Sequence, residues 1–189
     1  MTKKELRIKY KALRSVLSPE QVAQKSLAIA NILLQLPIWD KAYFHLFLPV
    51  AGQNEVDTEC ILHLLSGKDK EIVVSKSDFK TLKMTHFLVT DNTKFRNNTY
   101  NIPEPVAGLE VPTKKIEVVF VPLLAFDRHG QRVGYGKGFY DAFLSECASG
   151  TTAIGLSFFE ADEPISDLFE GDVPLDYCVT PEGIYQFKT

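Results

Sequence analysis

The chain is short of cysteine, of surplus charge and of long apolar runs, and each shortage removes a class of function. Its 189 residues hold three cysteines, Cys60, Cys147 and Cys178, scattered and odd in number. None stands in a CxxC pair, so neither a zinc site nor a disulfide framework is expected, and a reducing compartment fits. Formal net charge is −3, which argues against a dedicated nucleic-acid binder with its broadly basic surface, although a local basic pocket remains compatible. No apolar run reaches the roughly 18 residues of a membrane span. Met1-Thr2-Lys3-Lys4-Glu5 opens no apolar segment of a secretion signal. Internal repeats, low-complexity tracts and any Ser-His or Cys-His pairing for covalent catalysis are also missing. These absences lead to an expected cytoplasmic monomer that acts on small molecules, with neither nucleic acid nor membrane as partner.

What is present is ordinary for a folded domain: 45% hydrophobic and 24% charged residues. One domain over residues 1–189 is expected, and a chain of this size buries roughly 70% of its unfolded surface. Residues 2–17 read as a helix with Leu6, Tyr10, Leu13 and Leu17 on one face. Ser18-Pro19-Glu20-Gln21 reads as a capping box opening a second helix that runs to about Leu36 and is stopped by Pro37. Strands are expected at 42–50, 72–75, 82–89, 118–126, 152–157 and 177–180, and further helices at 56–65 and 139–147. The 97–112 stretch, rich in Asn, Pro and Gly, reads as an irregular loop, as does the acidic 162–176 segment. Asp127-Arg128-His129-Gly130 matches a type I turn. The alternation predicts an open, mostly parallel α/β sheet, layered with helices on both faces, whose ligands bind beyond the carboxyl ends of the strands.

A glycine loop stands where that rule wants a site: Arg132-Val133-Gly134-Tyr135-Gly136-Lys137-Gly138-Phe139-Tyr140-Asp141. It lacks the GK[ST] ending of a Walker A loop, and its third glycine comes one residue early for a dinucleotide fingerprint. Glycine N–H groups can form an anion nest, and the start of the following helix adds free donors. Arg132 and Lys137 bring full charges for phosphate oxygens. The plainer alternative is a flexible connection with incidental charges.

Other constellations also read two ways. Lys3, Arg7, Lys11 and Arg14 line one side of the first helix, as a solvated basic face or as an anion-binding one. In Asn54-Glu55-Val56-Asp57-Thr58, Asp57 suits a helix N-cap, and Glu55 is either a solvated loop residue or an acceptor for a polar ligand ring. Asp141 and Asp176 are turn-forming carboxylates or a magnesium pair. His129 reads as an inert turn residue or an acid–base, Trp39 as packing, and Lys114 with Lys115 as a solvated loop.

The segment from Val121 to Asp141 resembles the signature PxxAFDxxGxRLGxGxGYYD of the 5-formyltetrahydrofolate cyclo-ligase family, with Val133 for Leu and Phe139 for the first Tyr of the pair. The resemblance spans nearly the whole chain. It implies a single layered α/β domain similar to ribose-phosphate isomerases and CoA transferases. It also implies ATP- and Mg²⁺-dependent cyclisation of 5-formyltetrahydrofolate to 5,10-methenyltetrahydrofolate, with release of ADP and phosphate, through a phosphorylated formyl group. Lys3, Lys4 and Arg7 match an N-terminal phosphate-contacting element. The loop from Arg132 through Val133, Gly134, Tyr135, Gly136, Lys137, Gly138 and Phe139 to Tyr140 matches the ATP loop, with Arg132 and Lys137 as the catalytic cations. Val50 and Glu55 match folate-contacting positions, and Asp141 and Asp176 the magnesium carboxylates. Arg132→Ala is then expected to cut turnover far more than stability. Two other classes stay open at this level: another ATP-dependent enzyme on the same scaffold, and a non-catalytic nucleotide- or folate-binding module.

Overall fold

Val118–Pro122 is a run of apolar residues, with four of the five buried, because both of its faces are covered. Alternate side chains point to opposite sides. Val118 and Phe120 join a core with Ile29, Leu33, Ile61 and Leu65, while Val119 and Val121 join a second core with Phe143, Ala153 and Cys178. Full burial of a Phe such as Phe120 contributes about 2–3 kcal/mol. A computed structural model describes residues 1–187.

In chain order the elements are α1 (Lys3–Ser15), α2 (Pro19–Leu33), β1 (Tyr43–His45), α3 (Glu59–Gly67), β2 (Glu71–Asp78), β3 (Lys83–Leu88), β4 (Phe95–Asn97) and β5 (Pro103–Pro105). After a 3₁₀ turn at Thr113–Lys115 come β6 (Val118–Pro122), β7 (Ala125–Phe126), β8 (Arg132–Val133), α4 (Phe139–Glu146), β9 (Thr152–Leu156), β10 (Tyr177–Thr180) and β11 (Gly183–Gln186). Seven strands form one sheet in the order β11-β10-β9-β6-β1-β2-β3. The five inner strands pair in parallel, and the edge strands β3 and β11 are antiparallel. Helices α2 and α3 pack on one face and α4 on the other, so the layered α/β expectation holds.

Several boundaries moved. In α1, the buried stripe is Leu6, Tyr10 and Arg14, while Leu13 is 39% exposed. Strict i, i+4 spacing selects 6, 10 and 14, and the stripe carries an arginine in place of the expected leucine. The box at Ser18 is present, with Gln21 as its partner. Strand β1 pairs only from Tyr43 to His45; the apolar residues after it continue past the sheet edge, where Leu46, Phe47, Leu48 and Val50 line a cavity. Helix α3 starts at Glu59, with Thr58 as the N-cap. Thr58 Oγ1 donates to the Phe47 carbonyl at 2.8 Å, and Asp57 accepts from the Glu59 N–H at 3.0 Å. The loop expected at 97–112 contains half of a small hairpin, β4–β5.

The turn before the glycine loop is rigidly specified. The Asp127 carboxylate accepts from the N–H groups of His129, Gln131 and Ile165. Gly130 sits at φ +78°, where a Cβ would lie 2.8 Å from the Phe187 ring. The turn folds β7 back on β8, pairing Phe126 with Arg132. Helix α1 closes this corner through a third core of Leu6, Tyr10, Leu124, Ala125, Val133 and Ile165.

Candidate active site

Beyond the carboxyl ends of β1, β2 and β6 lies a cavity of about 410 Å³, roofed by α1 and the glycine loop. Five cations line it: Lys3, Arg7, Lys11, Arg132 and Lys137. Gly136 (φ +91°) and Gly138 (φ +74°) bend the loop through the left-handed region. Gly138 is the N-cap of α4 and makes no side-chain cap, so the helix opens toward the cavity with first-turn N–H groups that no cap residue covers. Arg7 Nε donates to the Gly134 carbonyl at 2.9 Å, and a Cβ at Gly136 would lie 3.2 Å from Arg7 Cζ. The left-handed φ at Gly136 favours glycine there, and a Cβ would also press on the Arg7 guanidinium.

Two of the cations, Lys3 and Arg132, are held by carboxylates. Lys3 is ion-paired with Asp172. Arg132 donates to Asp141 Oδ1 at 2.7 Å and to the Val173 carbonyl, while Val173 N–H donates back to Asp141 at 3.1 Å. Burial pushes the Arg132 guanidinium below its usual value, and the Asp141 charge opposes that shift. At Asp172, burial acts upward, but hydrogen bonds from Lys3 and the Phe169 N–H outweigh it and leave the carboxyl below its usual value.

Glu55 and Tyr135 line the same cavity, with Arg14 packed behind them. Glu55 is buried and accepts from Val50 N–H at 2.7 Å and from the Tyr135 hydroxyl at 2.6 Å. Arg14, also buried, donates to the Tyr135 oxygen at 2.7 Å and lies 4.0 Å from Glu55. An aromatic wall completes the lining: Phe79 stacks on Tyr100 at 4.0 Å and meets Phe139 edge-on at 5.0 Å. The floor carries a buried chain in which His45 Nε2, Ser75 Oγ and His86 Nδ1 stand 2.8 and 2.7 Å apart. Burial pushes His45 down to about 3 and His86 to about 4, so both rings are neutral near pH 7.

Lys3, Arg7, Val50, Glu55, Arg132, Gly134, Tyr135, Gly136, Lys137, Gly138, Phe139, Tyr140 and Asp141 all meet at the cavity. Three expected residues do not. Lys4 is exposed on the far side of α1, one position out of phase with Lys3. The Val133 side chain is fully buried in the third core, because strand alternation turns it away from Arg132. Asp176 is the clearest correction: its carboxylate accepts from the Ala153 N–H at 2.7 Å and braces β9 against β10. Asp172, four residues earlier, lines the cavity instead. The sequence reading singled out Asp176 and not Asp172, and only the path of the 162–176 loop brings Asp172 to the cavity. His129 is exposed in its turn and absent from the lining. Lys115 lies over the Tyr43 ring, at the amino end of β1 and so opposite the cavity. Trp39 stacks on Phe44 in the core, as packing. Gln53, Phe79 and Tyr100 were not singled out from the pattern, while Lys11, read only as part of a basic face with two readings, lines the cavity one turn after Arg7.

This fold and cavity define an α/β protein with a cation-lined cavity beyond its strand ends, at a glycine-bent helix N-terminus. Its family follows from likeness across the chain: the 5-formyltetrahydrofolate cyclo-ligase family matches residues 1–181, and the chain belongs to that family. The known reaction of these enzymes is the ATP-dependent cyclisation of 5-formyltetrahydrofolate. The chain is similar to the 5-formyltetrahydrofolate cyclo-ligase of Mus musculus, 26% identical over 175 residues that cover 87% of this chain and 85% of the mouse protein. It is 27% identical to that of Escherichia coli K12 over 187 residues, covering 92% and 97% of the two chains. The solved NMR structure of the Aquifex aeolicus 5,10-methenyltetrahydrofolate synthetase superposes with a TM-score of 0.84 at 28% identity, covering 100% of this chain and 94% of that one. The Mycoplasma pneumoniae 5,10-methenyltetrahydrofolate synthetase shares the fold at 20% identity, with a TM-score of 0.74 and coverage of 96% and 99%.

Proposed function

We propose that the cavity takes ATP and 5-formyltetrahydrofolate together and that cyclisation passes through a phosphorylated formyl oxygen. The observation that carries this reading is the convergence, in one cavity, of the glycine nest, five cations and the braced Glu55. Gly134, Gly136 and Gly138 offer backbone donors to the phosphates, and Lys3, Arg7, Arg132 and Lys137 neutralise them. Asp141 and Asp172 form an oxygen-only donor set suited to Mg²⁺. Among the described residues no group of three His, Cys, Asp or Glu stands ready for a metal, so phosphate oxygens and water complete the shell. When bound, Mg²⁺ would neutralise charge on the transferring phosphoryl group.

Asp172 and Asp141, now paired with Lys3 and Arg132, would hold the metal when it is bound, and the two cations would then face phosphate. The charge in the cavity therefore rearranges without any charged group becoming unpaired. The formyl oxygen attacks the γ-phosphorus, the β–γ bridging bond breaks, and ADP leaves. The neighbouring folate amine then attacks the activated formyl carbon, which expels the oxygen with the phosphate, and the amine proton is released. No protein nucleophile is needed; the residues position the reactants and neutralise charge. Val50 and Glu55 hold the pterin, with the wall of Phe79, Tyr100 and Phe139 available to its flat ring system.

The deciding assay follows near-ultraviolet absorbance of 5,10-methenyltetrahydrofolate with ATP and Mg²⁺, in parallel with ADP release. Product formation dependent on both is expected. ADP release with another substrate and none with 5-formyltetrahydrofolate would move the protein to a different ATP-dependent reaction, and ligand binding without product would make it a binding module. The same reading takes the protein as a cytoplasmic monomer, which light scattering of the purified chain checks. Among the described residues no helix is long and apolar enough to cross a membrane.

A further inference from the structure

We infer that the Tyr135 side chain serves the folate and not the nucleotide: with Arg14 behind it, it positions Glu55 from within the phosphate loop. The inference rests on the function proposed above. Tyr135 lies between Gly134 and Gly136, so its backbone belongs to the anion nest. Its hydroxyl, however, donates to Glu55 Oε1 at 2.6 Å and accepts from Arg14 NH1 at 2.7 Å. Burial raises the hydroxyl's pKa, as does the neighbouring Glu55 charge, so it remains a donor at neutral pH. Arg14 is fixed in turn by its second donation, to the Leu123 carbonyl.

The geometry leaves Glu55 with a defined remainder. A carboxylate offers about four acceptor positions. Val50 N–H takes one on Oε2 and Tyr135 takes one on Oε1. The two oxygens are therefore locked in orientation, with one position on each left for a ligand edge that carries two adjacent N–H donors. An amino group beside a ring N–H, as in a pterin, has that form. Without the Tyr135 hydroxyl, Oε1 keeps only Arg14 at 4.0 Å, a looser restraint than a hydrogen bond.

Tyr135→Phe keeps the ring, the backbone and the Lys11 cation over the ring, and removes only the hydroxyl. Steady-state kinetics should show the KM for 5-formyltetrahydrofolate raised about tenfold, the worth of one hydrogen bond to a charged group, with kcat and the KM for ATP within about twofold. In a Glu55→Gln background the same change should add nothing further. An unchanged folate KM, or an equal rise in the KM for ATP, would overturn the inference; the second result would mean that the tyrosine merely stiffens the loop. Arg14→Lys should reproduce the folate effect in weaker form, and a rise confined to ATP would contradict it. Wild-type protein that makes no methenyl product would sink the proposed function itself, a result separable from an active wild type with an indifferent variant.

Discussion

Single residues in this site carry two duties, and the substitutions that test them must separate the two. Arg132 was expected to matter far more for turnover than for stability, but its guanidinium also ties Asp141 to the Val173 carbonyl. Arg132→Ala should therefore lower turnover by on the order of 10²–10³ and also destabilise the fold by about 2 kcal/mol, read from urea midpoints. A variant as stable as the wild type would mean that the clasp carries no net energy. Gly136→Ala makes the opposite split. Left-handed φ and the nearness of Arg7 act on one methyl group, costing about 1 kcal/mol in strain. Pressing Arg7 aside by a few tenths of an ångström should raise the KM for ATP in a calorimetric or kinetic titration, and an unchanged KM would mean that Arg7 does not face the phosphates.

Elements differ in how far their sequences announced them. The pattern from Val118 to Asp141 held central strand, turn, loop and helix, because β-branched runs, an Asx turn and alternate glycines each act locally. What stayed hidden depended on contacts from far along the chain. Arg14 reads as part of a solvated or anion-binding face until α1 is seen packed over Leu123, and Asp176 as a turn residue or a magnesium ligand until its bond to the Ala153 N–H is seen. Strand β11 went unread because its residues are only half-buried at an edge. Strand β9 was legible, yet the reason for Gly155 was not. A Cβ there would lie 2.6 Å from Leu123 and 2.7 Å from Leu175, so Gly155→Ala should cost about 1–3 kcal/mol by overpacking. A thermal melt checks this, and an unshifted midpoint would mean that the second core has slack.

For the whole molecule, the buried His45–Ser75–His86 chain sets a response to acid. Both imidazoles are depressed, to about 3 and about 4, from an ordinary 6.5. The unfolded chain therefore binds two protons that the native state refuses, and stability is lost as pH falls below about 6.5. The loss should continue to about pH 4, where His86 also charges in the native state. The slope should approach 2.7 kcal/mol per pH unit, about 1.36 for each proton. Denaturation midpoints between pH 7 and 4.5 measure it. His86→Asn should remove about half the slope; a pH-independent midpoint in the wild type would mean that the rings titrate normally.

Lys3 meets Asp172 across 169 positions of the chain. Synthesis must therefore pass Asp172 before Lys3 can find its partner, and any fragment that stops short of that residue leaves this corner of the cavity unclosed.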